Sequence, residues 1–154
     1  MKKIIAFLIV AITSLNLFSA EIRGVVVDVS DGDTITVLDE MDKARFKIRL
    51  HGIDAPEIKQ DYGLESKLHL SSFVLNKFVV VRFKKIDRYG RIVGKVFQGP
   101  TEINLEMLMQ GYAWHYKQFD KSQVYSGAEK YARIKRVGIW STKNPIPPWN
   151  FRKK

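Results

Sequence analysis

Cysteine is absent from this 154-residue chain. A disulfide-bonded scaffold, a zinc site built on thiolates, an iron–sulfur protein and a thiol nucleophile all need cysteine, so the sequence excludes these classes. A transmembrane-length apolar run is also missing, because the run at residues 4–12 falls short of the roughly 20 residues that a spanning helix needs. The length suits one domain, since domains usually hold about 100 to 200 residues.

Residues 1–20 have the pattern of a secretory signal peptide. Lys2 and Lys3 precede the apolar run, and small residues at Ser19 and Ala20 offer a cleavage site. Phe18 matches the −3 position of that site poorly, so the point of cleavage stays open. The pattern predicts a secreted or periplasmic protein with no stable membrane association after cleavage.

Acidic residues are scarce relative to basic ones, with 16 Asp and Glu against 26 Lys and Arg. Residues 21–154 keep 24 of the basic residues and all 16 acidic ones. Such an excess favours polyanionic partners, either nucleic acid or an anionic lipid surface. The basic residues are spread over strand-like and helix-like segments and do not form one amphipathic helix, which disfavours the lipid surface.

Hydrophobic alternation predicts three strands between residues 21 and 50. In the first, Val25, Val27 and Val29 alternate with other residues, and a turn at residues 31–32 precedes the second. In the third, apolar residues alternate with three cations, so one face should enter a core. The alternating sets are Phe46, Ile48 and Leu50 against Arg45, Lys47 and Arg49. Two more strands are expected at residues 78–83 and 91–97, joined by a turn at residues 88–90.

Helical spacing of apolar residues predicts three helices. The first covers residues 61 to about 76, the second should stop near Gly111, and the third should follow a cap at Asp120 or Ser122. The spaced residues are Leu64, Leu68, Ser72 and Leu75 in the first; Leu105, Leu108, Met109 and Tyr112 in the second; and Val124, Ala128, Tyr131 and Ala132 in the third. We expect the stripes of the second and third helices to belong to the core.

The order of these elements predicts a mainly β fold with some α structure, a five-stranded barrel of the OB type with about three helices. The domain should span residues 21–143. Residues 144–154 carry three prolines around Trp149 and should form an extended, basic C-terminal segment. We expect its last three residues, 152–154, to be solvated.

Three short segments mix acidic and basic side chains at strand ends or turns. They read Asp-Gly-Asp-Thr at residues 31–34, Arg-x4-Asp-x-Pro-Glu at residues 49–57 and Asp-x-Tyr-Gly-Arg at residues 87–91. Carboxylates from two such loops, with a carbonyl and waters, would suit a hard divalent cation. Arginine presents a planar, permanently protonated fork that matches phosphate.

These three motifs, in this order, closely resemble those of the staphylococcal nuclease (thermonuclease) family, and the resemblance covers nearly all of residues 21–140. It implies an OB barrel and calcium-dependent endonucleolytic hydrolysis of phosphodiester bonds in DNA and RNA. It also implies little sequence preference and a preference for single strands. Nothing in the sequence requires more than a monomer.

The resemblance also implies roles for individual residues. The metal-binding residues would be Asp33, Asp54 and the backbone carbonyl of Ala55, with Asp31 supporting them. The catalytic residues would be Arg49 and Arg91, which grip the phosphate, and Glu57, which orients or deprotonates water. The residues near the substrate would be Arg88, Tyr89, Trp114 and Tyr116. Trp114 has an alternative role, closing the barrel against the last helix.

The chemistry of the substrate supports such a set. A phosphodiester is anionic and repels hydroxide, so a catalyst must neutralise charge, position water and stabilise the five-coordinate state. A cation held by carboxylates and a pair of guanidinium groups would do this.

Each residue also has a structural interpretation. Asp31 and Asp33 could simply form a turn, the two arginines could be solvated strand charges, and Glu57 could be a surface residue. The complete set in register favours catalysis over a noncatalytic OB-fold module that binds nucleic acid, or a cationic adhesin. The chain's three histidines, His51, His69 and His115, lie on different elements and are expected to be partly exposed and structural rather than a ribonuclease pair.

Overall fold

The computed structural model describes residues 20–153. The predicted signal peptide lies outside the described residues except for Ala20, so it stays a prediction. Within residues 20–153 the strands are β1 (Ala20–Asp31), β2 (Thr34–Asp39), β3 (Arg45–Leu50), β4 (Ile53–Asp54), β5 (Phe78–Ile86), β6 (Ile92–Gln98), β7 (Thr101–Glu102) and β8 (Trp114–His115). The helices of this range are α1 (Gly63–Val74), α2 (Ile103–Met109), α3 (Gln123–Lys135), α4 (Pro148–Phe151) and a 3-10 turn at Gly138–Ser141.

Five of the strands close into a barrel. β1 pairs with β2 and β5, β2 with β3, and β5 with β6, all antiparallel. A parallel pairing of β3 with β6 completes the ring. β7 extends the edge of β6, and β4 pairs with β8. The predicted five-stranded barrel and its mainly β class are therefore confirmed.

The first strand buries a different set of valines from the one that simple alternation suggests. Val26 is fully buried, whereas Val25 is 38% exposed. The pairing of β1 with β2 shifts between Val26 and Asp28, which marks a β-bulge. Because a bulge inserts one residue, it moves the inward-facing positions from even to odd numbers, and Val29 is buried again.

The third strand follows its prediction and leads directly to the acidic segment. Ile48 and Leu50 are buried, whereas Arg45 and Lys47 are exposed. Gly52, with φ of 74°, then reverses the chain, a conformation that favours glycine. After this turn the chain enters β4, which pairs with β8 and not with a barrel strand.

Helix α1 forms within the predicted range but packs through another face. Leu64 and Leu68 are 54% and 59% exposed, whereas Ser66, Leu70 and Val74 are buried. The apolar residues that revealed the helix therefore lie mainly on its solvent side.

Helices α2 and α3 pack against each other beside the barrel. Helix α2 ends before Gly111, as predicted, and buries Met107 and Leu108. Ser122 is the N-cap of α3, accepting a hydrogen bond from the backbone N–H of Tyr125. The predicted core stripe of α3 is half wrong. Its buried residues are Tyr125, Ala128, Glu129 and Ala132, and its exposed ones include Val124 and Tyr131.

The sequence predicted an extended C-terminal segment, and this prediction is wrong for part of it. Pro148 starts the one-turn helix α4, because a proline fits the first helical turn, where its missing N–H is not needed. Trp149 of this turn packs against the edge of Trp114, with ring centroids 5.6 Å apart. The segment is therefore docked on the barrel. Within residues 20–153, no helix combines the length and apolarity that crossing a membrane would demand.

Candidate active site

The three charged motifs meet in one open cleft of about 790 Å³. Nearly every residue singled out from the sequence lines it: Asp31, Asp33, Arg49, Asp54, Ala55, Glu57, Arg88, Tyr89, Arg91 and Tyr116. Trp114 does not line it. The roles assigned to these residues stay predictions, but the fold brings the residues together.

Two buried carboxylates share one guanidinium at the base of the cleft. Asp33, just before β2, is 6% exposed and Asp54, at the end of β4, is 1% exposed. Nη2 of Arg49 lies 3.2 Å from Oδ2 of Asp33 and 3.0 Å from Oδ1 of Asp54. Arg49 therefore links the turn between β1 and β2, which carries Asp33, to the end of β4, which carries Asp54.

Arg49 is held rigidly from its other side. Its Nη1 donates to the backbone carbonyls of Leu50 and Ile53, at 3.0 and 2.9 Å. These two carbonyls flank the turn at Gly52, so the turn and the guanidinium fix each other. Because all four contacts are made by the two terminal nitrogens, Arg49 has a single orientation in the cleft.

Asp33 is buried next to two other carboxylates. Burial raises the pKa of Asp33 well above its ordinary value, Arg49 opposes the change, and the nearby carboxylates of Asp31 and Asp54 raise the pKa further. Asp33 also accepts hydrogen bonds from the hydroxyl of Thr34 and from the backbone N–H of Ala55, at 3.0 and 2.7 Å. A positive charge close to Asp33 therefore favours its ionised form.

Asp31 supports the turn that presents Asp33. Its Oδ1 accepts a hydrogen bond of 3.0 Å from the backbone N–H of Asp33. The contact shapes the turn, and a supporting role for Asp31 at a metal stays a prediction.

Arg91 reaches the cleft from the start of β6 and is oriented by Asp87. Nε of Arg91 lies 2.8 Å from Oδ2 of Asp87, and Oδ1 of Asp87 accepts from the backbone N–H groups of Arg91 and Tyr89. Asp87 is the first residue of the third charged motif, and the motif itself predicted no role for it. Its contacts make it the residue that aims Arg91.

Tyr89 lies between two arginines at the rim of the cleft. The guanidinium carbons of Arg88 and Arg91 lie 4.8 and 5.4 Å from its ring centroid. The ring is 67% exposed, so it remains accessible to a substrate strand while it stacks with these cations.

Glu57 is held by a residue of its own loop, Gln60, and by a residue of the C-terminal segment, Arg152. Its backbone N–H donates to Oε1 of Gln60 at 3.1 Å, and the side-chain amide of Gln60 donates to the carbonyl of Ile146. Oε1 of Glu57 accepts a hydrogen bond of 2.8 Å from Nη1 of Arg152. The short loop after Glu57 is therefore braced by the C-terminal segment.

Arg152 was expected to be solvated, and this expectation is wrong. Its guanidinium also binds Asp54, with Nη2 at 2.8 Å from Oδ2 and Nη1 at 3.2 Å from Oδ1. Arg152 is 98 residues away from Asp54 in the chain. No local pattern could have revealed this contact, because it depends on how α4 docks.

The two aromatic residues proposed to stack on bases have different environments. Trp114 is 7% exposed and packs in a second core cluster, with its ring centroid 4.4 Å from that of Trp140. The stacking role for Trp114 is therefore wrong. Trp114 packs against Ala132 of α3, as its alternative role expected, but in a cluster separate from the barrel core. Tyr116 lines the cleft and stacks in parallel on Trp149, with centroids 5.3 Å apart.

Two of the three histidines meet at Asp120, and of these two only His51 lines the cleft. Nε2 atoms of His51 and His115 both face Asp120, at 3.4 and 3.0 Å. His115 is 2% exposed, so the expectation of partial exposure is wrong for it. His69 stacks on Tyr112 away from the cleft. Burial lowers the pKa of His51 and of His69.

Comparison with known proteins identifies the family of the chain and several relatives. The sequence model of a family described as "Staphylococcal nuclease homologue" matches residues 47–142. The chain is 43% identical over 147 residues to an "Uncharacterized endonuclease" of Escherichia coli, covering 94% of each chain. It is 43% identical over 129 residues to an "Uncharacterized endonuclease" of Haemophilus influenzae, covering 84% of this chain and 72% of that one. It is also 43% identical over 109 residues to a "Staphylococcal-like nuclease" of Arabidopsis thaliana, covering 71% of this chain and 34% of that protein.

Proposed function

Because the chain belongs to the staphylococcal nuclease homologue family, and is thus a nuclease acting on nucleic acid, we propose that it is an exported, calcium-dependent endonuclease. It would hydrolyse phosphodiester bonds of single-stranded DNA and RNA with low sequence specificity. The observation that carries the proposal is the cleft in which the Asp33–Arg49–Asp54 cluster faces the same space as Glu57 and Arg91.

The donor set suits calcium. Asp33 and Asp54 offer buried carboxylate oxygens, the ligands that a hard cation prefers. Among residues 20–153 no group of three Asp, Glu, His or Cys side chains gathers at metal-binding spacing, so the carbonyl of Ala55 and waters would complete the site. When bound there, calcium would neutralise substrate charge and polarise a nonbridging phosphate oxygen.

The two arginines would act on the phosphate itself. Arg91 is aimed by Asp87 and remains partly exposed at the cleft, so it can donate to an equatorial oxygen. Arg49 is fixed beside the carboxylate pair through Nη2 and on two backbone carbonyls through Nη1, so its Nε–H would be the donor to the phosphate. Donors that are positioned in advance stabilise the charge that develops in the five-coordinate state without reorganisation.

Glu57 would bind the attacking water. Its side chain is 39% exposed on the cleft side, so a water can reach the carboxylate that orients it or takes its proton. Gln60 holds the backbone of Glu57, which limits the directions in which the carboxylate can point. Positioning of this kind contributes to catalysis because the attacking atom is already in line.

Tyr89 and Tyr116 would contact the substrate strand. Both aromatic rings line the cleft, and aromatic faces bind unstacked bases without a strong preference for sequence. Bases are exposed in this way only in single-stranded or frayed nucleic acid, which accounts for the proposed preference. The surplus of positive charge would add a salt-sensitive attraction to the phosphate backbone.

A nuclease assay with Glu57→Gln tests the proposal. The purified protein should degrade single-stranded DNA when calcium is present, and the degradation should stop when a chelator is added. Glu57→Gln should lower the rate about 100-fold or more while salt-sensitive DNA binding persists. The matched control is Glu65→Gln, because Glu65 is exposed on α1 and does not line the cleft.

Two outcomes would contradict the proposal. Cutting by Glu57→Gln at the rate of the control would remove Glu57 from its role. DNA binding without cutting in any divalent cation would make the protein a noncatalytic binding module.

A further inference from the structure

Arg152 occupies the two carboxylates on which the proposed chemistry depends. Its Nη2 donates to Oδ2 of Asp54 at 2.8 Å, and its Nη1 donates to Oδ1 of Asp54 at 3.2 Å and to Oε1 of Glu57 at 2.8 Å. The contact with Asp54 is bidentate, which is the strongest geometry for an arginine and a carboxylate. One side chain from the C-terminal segment thus bridges a proposed metal ligand and the proposed base.

Asp54 has no oxygen left over in this arrangement. Oδ1 also accepts from Nη2 of Arg49 at 3.0 Å, so two guanidinium groups surround a carboxylate that is 1% exposed. A calcium ion must come within about 2.3 to 2.6 Å of a ligand oxygen. A guanidinium nitrogen on Oδ2 opposes that approach, because the two cations repel at close range.

Of the two arginines, Arg152 is the one that can leave. The side chain of Arg49 is 14% exposed and is tied to two backbone carbonyls. The side chain of Arg152 is 42% exposed, and its hydrogen bonds all go to Asp54 and Glu57. Arg152 can therefore swing into solvent without breaking a contact to the barrel backbone.

The backbone before Arg152 would stay in place when its side chain moves. Trp149 stacks in parallel on Tyr116 and meets the edge of Trp114. This anchoring keeps Arg152 tethered next to Asp54 at a high local concentration. A tethered cation competes for a carboxylate far more effectively than a free one does.

We propose that Arg152 is a built-in competitor for the divalent cation at Asp54, so that the docked C-terminal segment sets the calcium concentration at which the site loads. This inference rests on the proposed calcium-dependent function. While the guanidinium holds Asp54 and Glu57, the cation ligand and the water-binding carboxylate are blocked together. Binding of calcium must first release both.

Calcium titration of the purified protein by calorimetry, with no substrate present, tests the inference. Removing the competitor in Arg152→Gln should lower the dissociation constant for calcium about tenfold, which corresponds to a competitor that is engaged about 90% of the time. Deleting residues 152–154 should have the same effect by a different route. The matched control is Lys153→Gln, which removes the same charge from an exposed neighbour and should change the constant by less than about twofold.

The outcomes separate this inference from the function on which it rests. Equal calcium affinity in the wild type and in both Arg152 variants would overturn the competitor and leave calcium dependence intact. Weaker calcium binding in the variants would also overturn it, since Arg152 would then support the site. A similar increase in calcium affinity in Lys153→Gln would show that the effect comes from net charge, and this result would also overturn the inference. No calcium binding by any variant would overturn both proposals.

Discussion

The two arginines proposed to grip the phosphate should be equally important for activity and unequal for stability. We consider Arg49→Ala and Arg91→Ala. Loss of one preorganised donor to a transition-state oxygen costs about 2.7 to 4 kcal/mol, so each variant should lose at least about 100-fold in turnover. The exposed Arg45, on the same strand as Arg49, supplies the control Arg45→Ala, which should retain full activity.

The free energy of unfolding should distinguish the two arginines because their ion pairs differ in burial. The side chain of Arg49 is 14% exposed, and the side chains of Asp33 and Asp54 that it faces are 8% and 1% exposed. Breaking such a buried pair usually costs about 3 to 5 kcal/mol, and we expect the low end because Asp33, with its raised pKa, can take up a proton. Arg91 and Asp87 are 28% and 20% exposed. Solvent screening limits that pair to about 1 kcal/mol or less.

Urea unfolding followed by tryptophan fluorescence measures the difference, since Trp114 and Trp140 lie in a core cluster. Activity should be compared well below the unfolding transition, on single-stranded DNA with calcium. If Arg49→Ala were no less stable than Arg91→Ala, the account of the buried cluster would be refuted. If either variant kept its turnover within tenfold, that arginine would not act on the transition state.

Two further predictions concern positions outside the catalytic set. Gln60→Ala removes the brace between Glu57 and the carbonyl of Ile146, so kcat at saturating calcium should fall by up to about 100-fold; an unchanged kcat would show that the brace is not needed. The wild type should lose part of its unfolding free energy as the pH falls from about 7.5 to about 5.5, and His69→Phe should lose less of it. Burial lowers the pKa of His69, so its contribution is complete above the ordinary value of 6.5 and is lost as the pH falls towards the lowered folded value, whereas phenylalanine keeps the stacking on Tyr112 and has no proton to bind. Parallel pH profiles for the wild type and His69→Phe would contradict this.

Local sequence patterns predicted where strands and helices occur. They predicted less well which face of each element is buried. The alternation in β3 correctly placed Ile48 and Leu50 inside, because a regular strand has a period of two and no bulge interrupts it. In β1 the same argument failed at Val25, because a bulge changes the parity of the strand and leaves no trace in the hydrophobic pattern. In α1 the spacing of Leu64 and Leu68 revealed a helix, yet both leucines are exposed. Periodicity reports which residues share a face but not what that face packs against.

The candidate site was predicted to a similar extent. Motif spacing identified Asp33, Arg49 and Asp54, and the fold brings them within hydrogen-bonding distance. The chemistry of these residues was visible because each lies in a short motif with a distinctive mixture of charge. Trp114 and Arg152 were misjudged, because their environment depends on the docking of the C-terminal segment.

The amino-acid sequence by itself determined the types of residue that reach the cleft, the five barrel strands and the three longer helices, and the positive charge that favours nucleic acid. These properties depend on side-chain chemistry and on neighbours a few positions apart. The tertiary structure alone decided that Arg152 lies on Asp54 and Glu57, that Asp87 aims Arg91, and that Trp114 is interior. Such contacts depend on how barrel closure and the packing of α4 bring together segments that are distant in the chain.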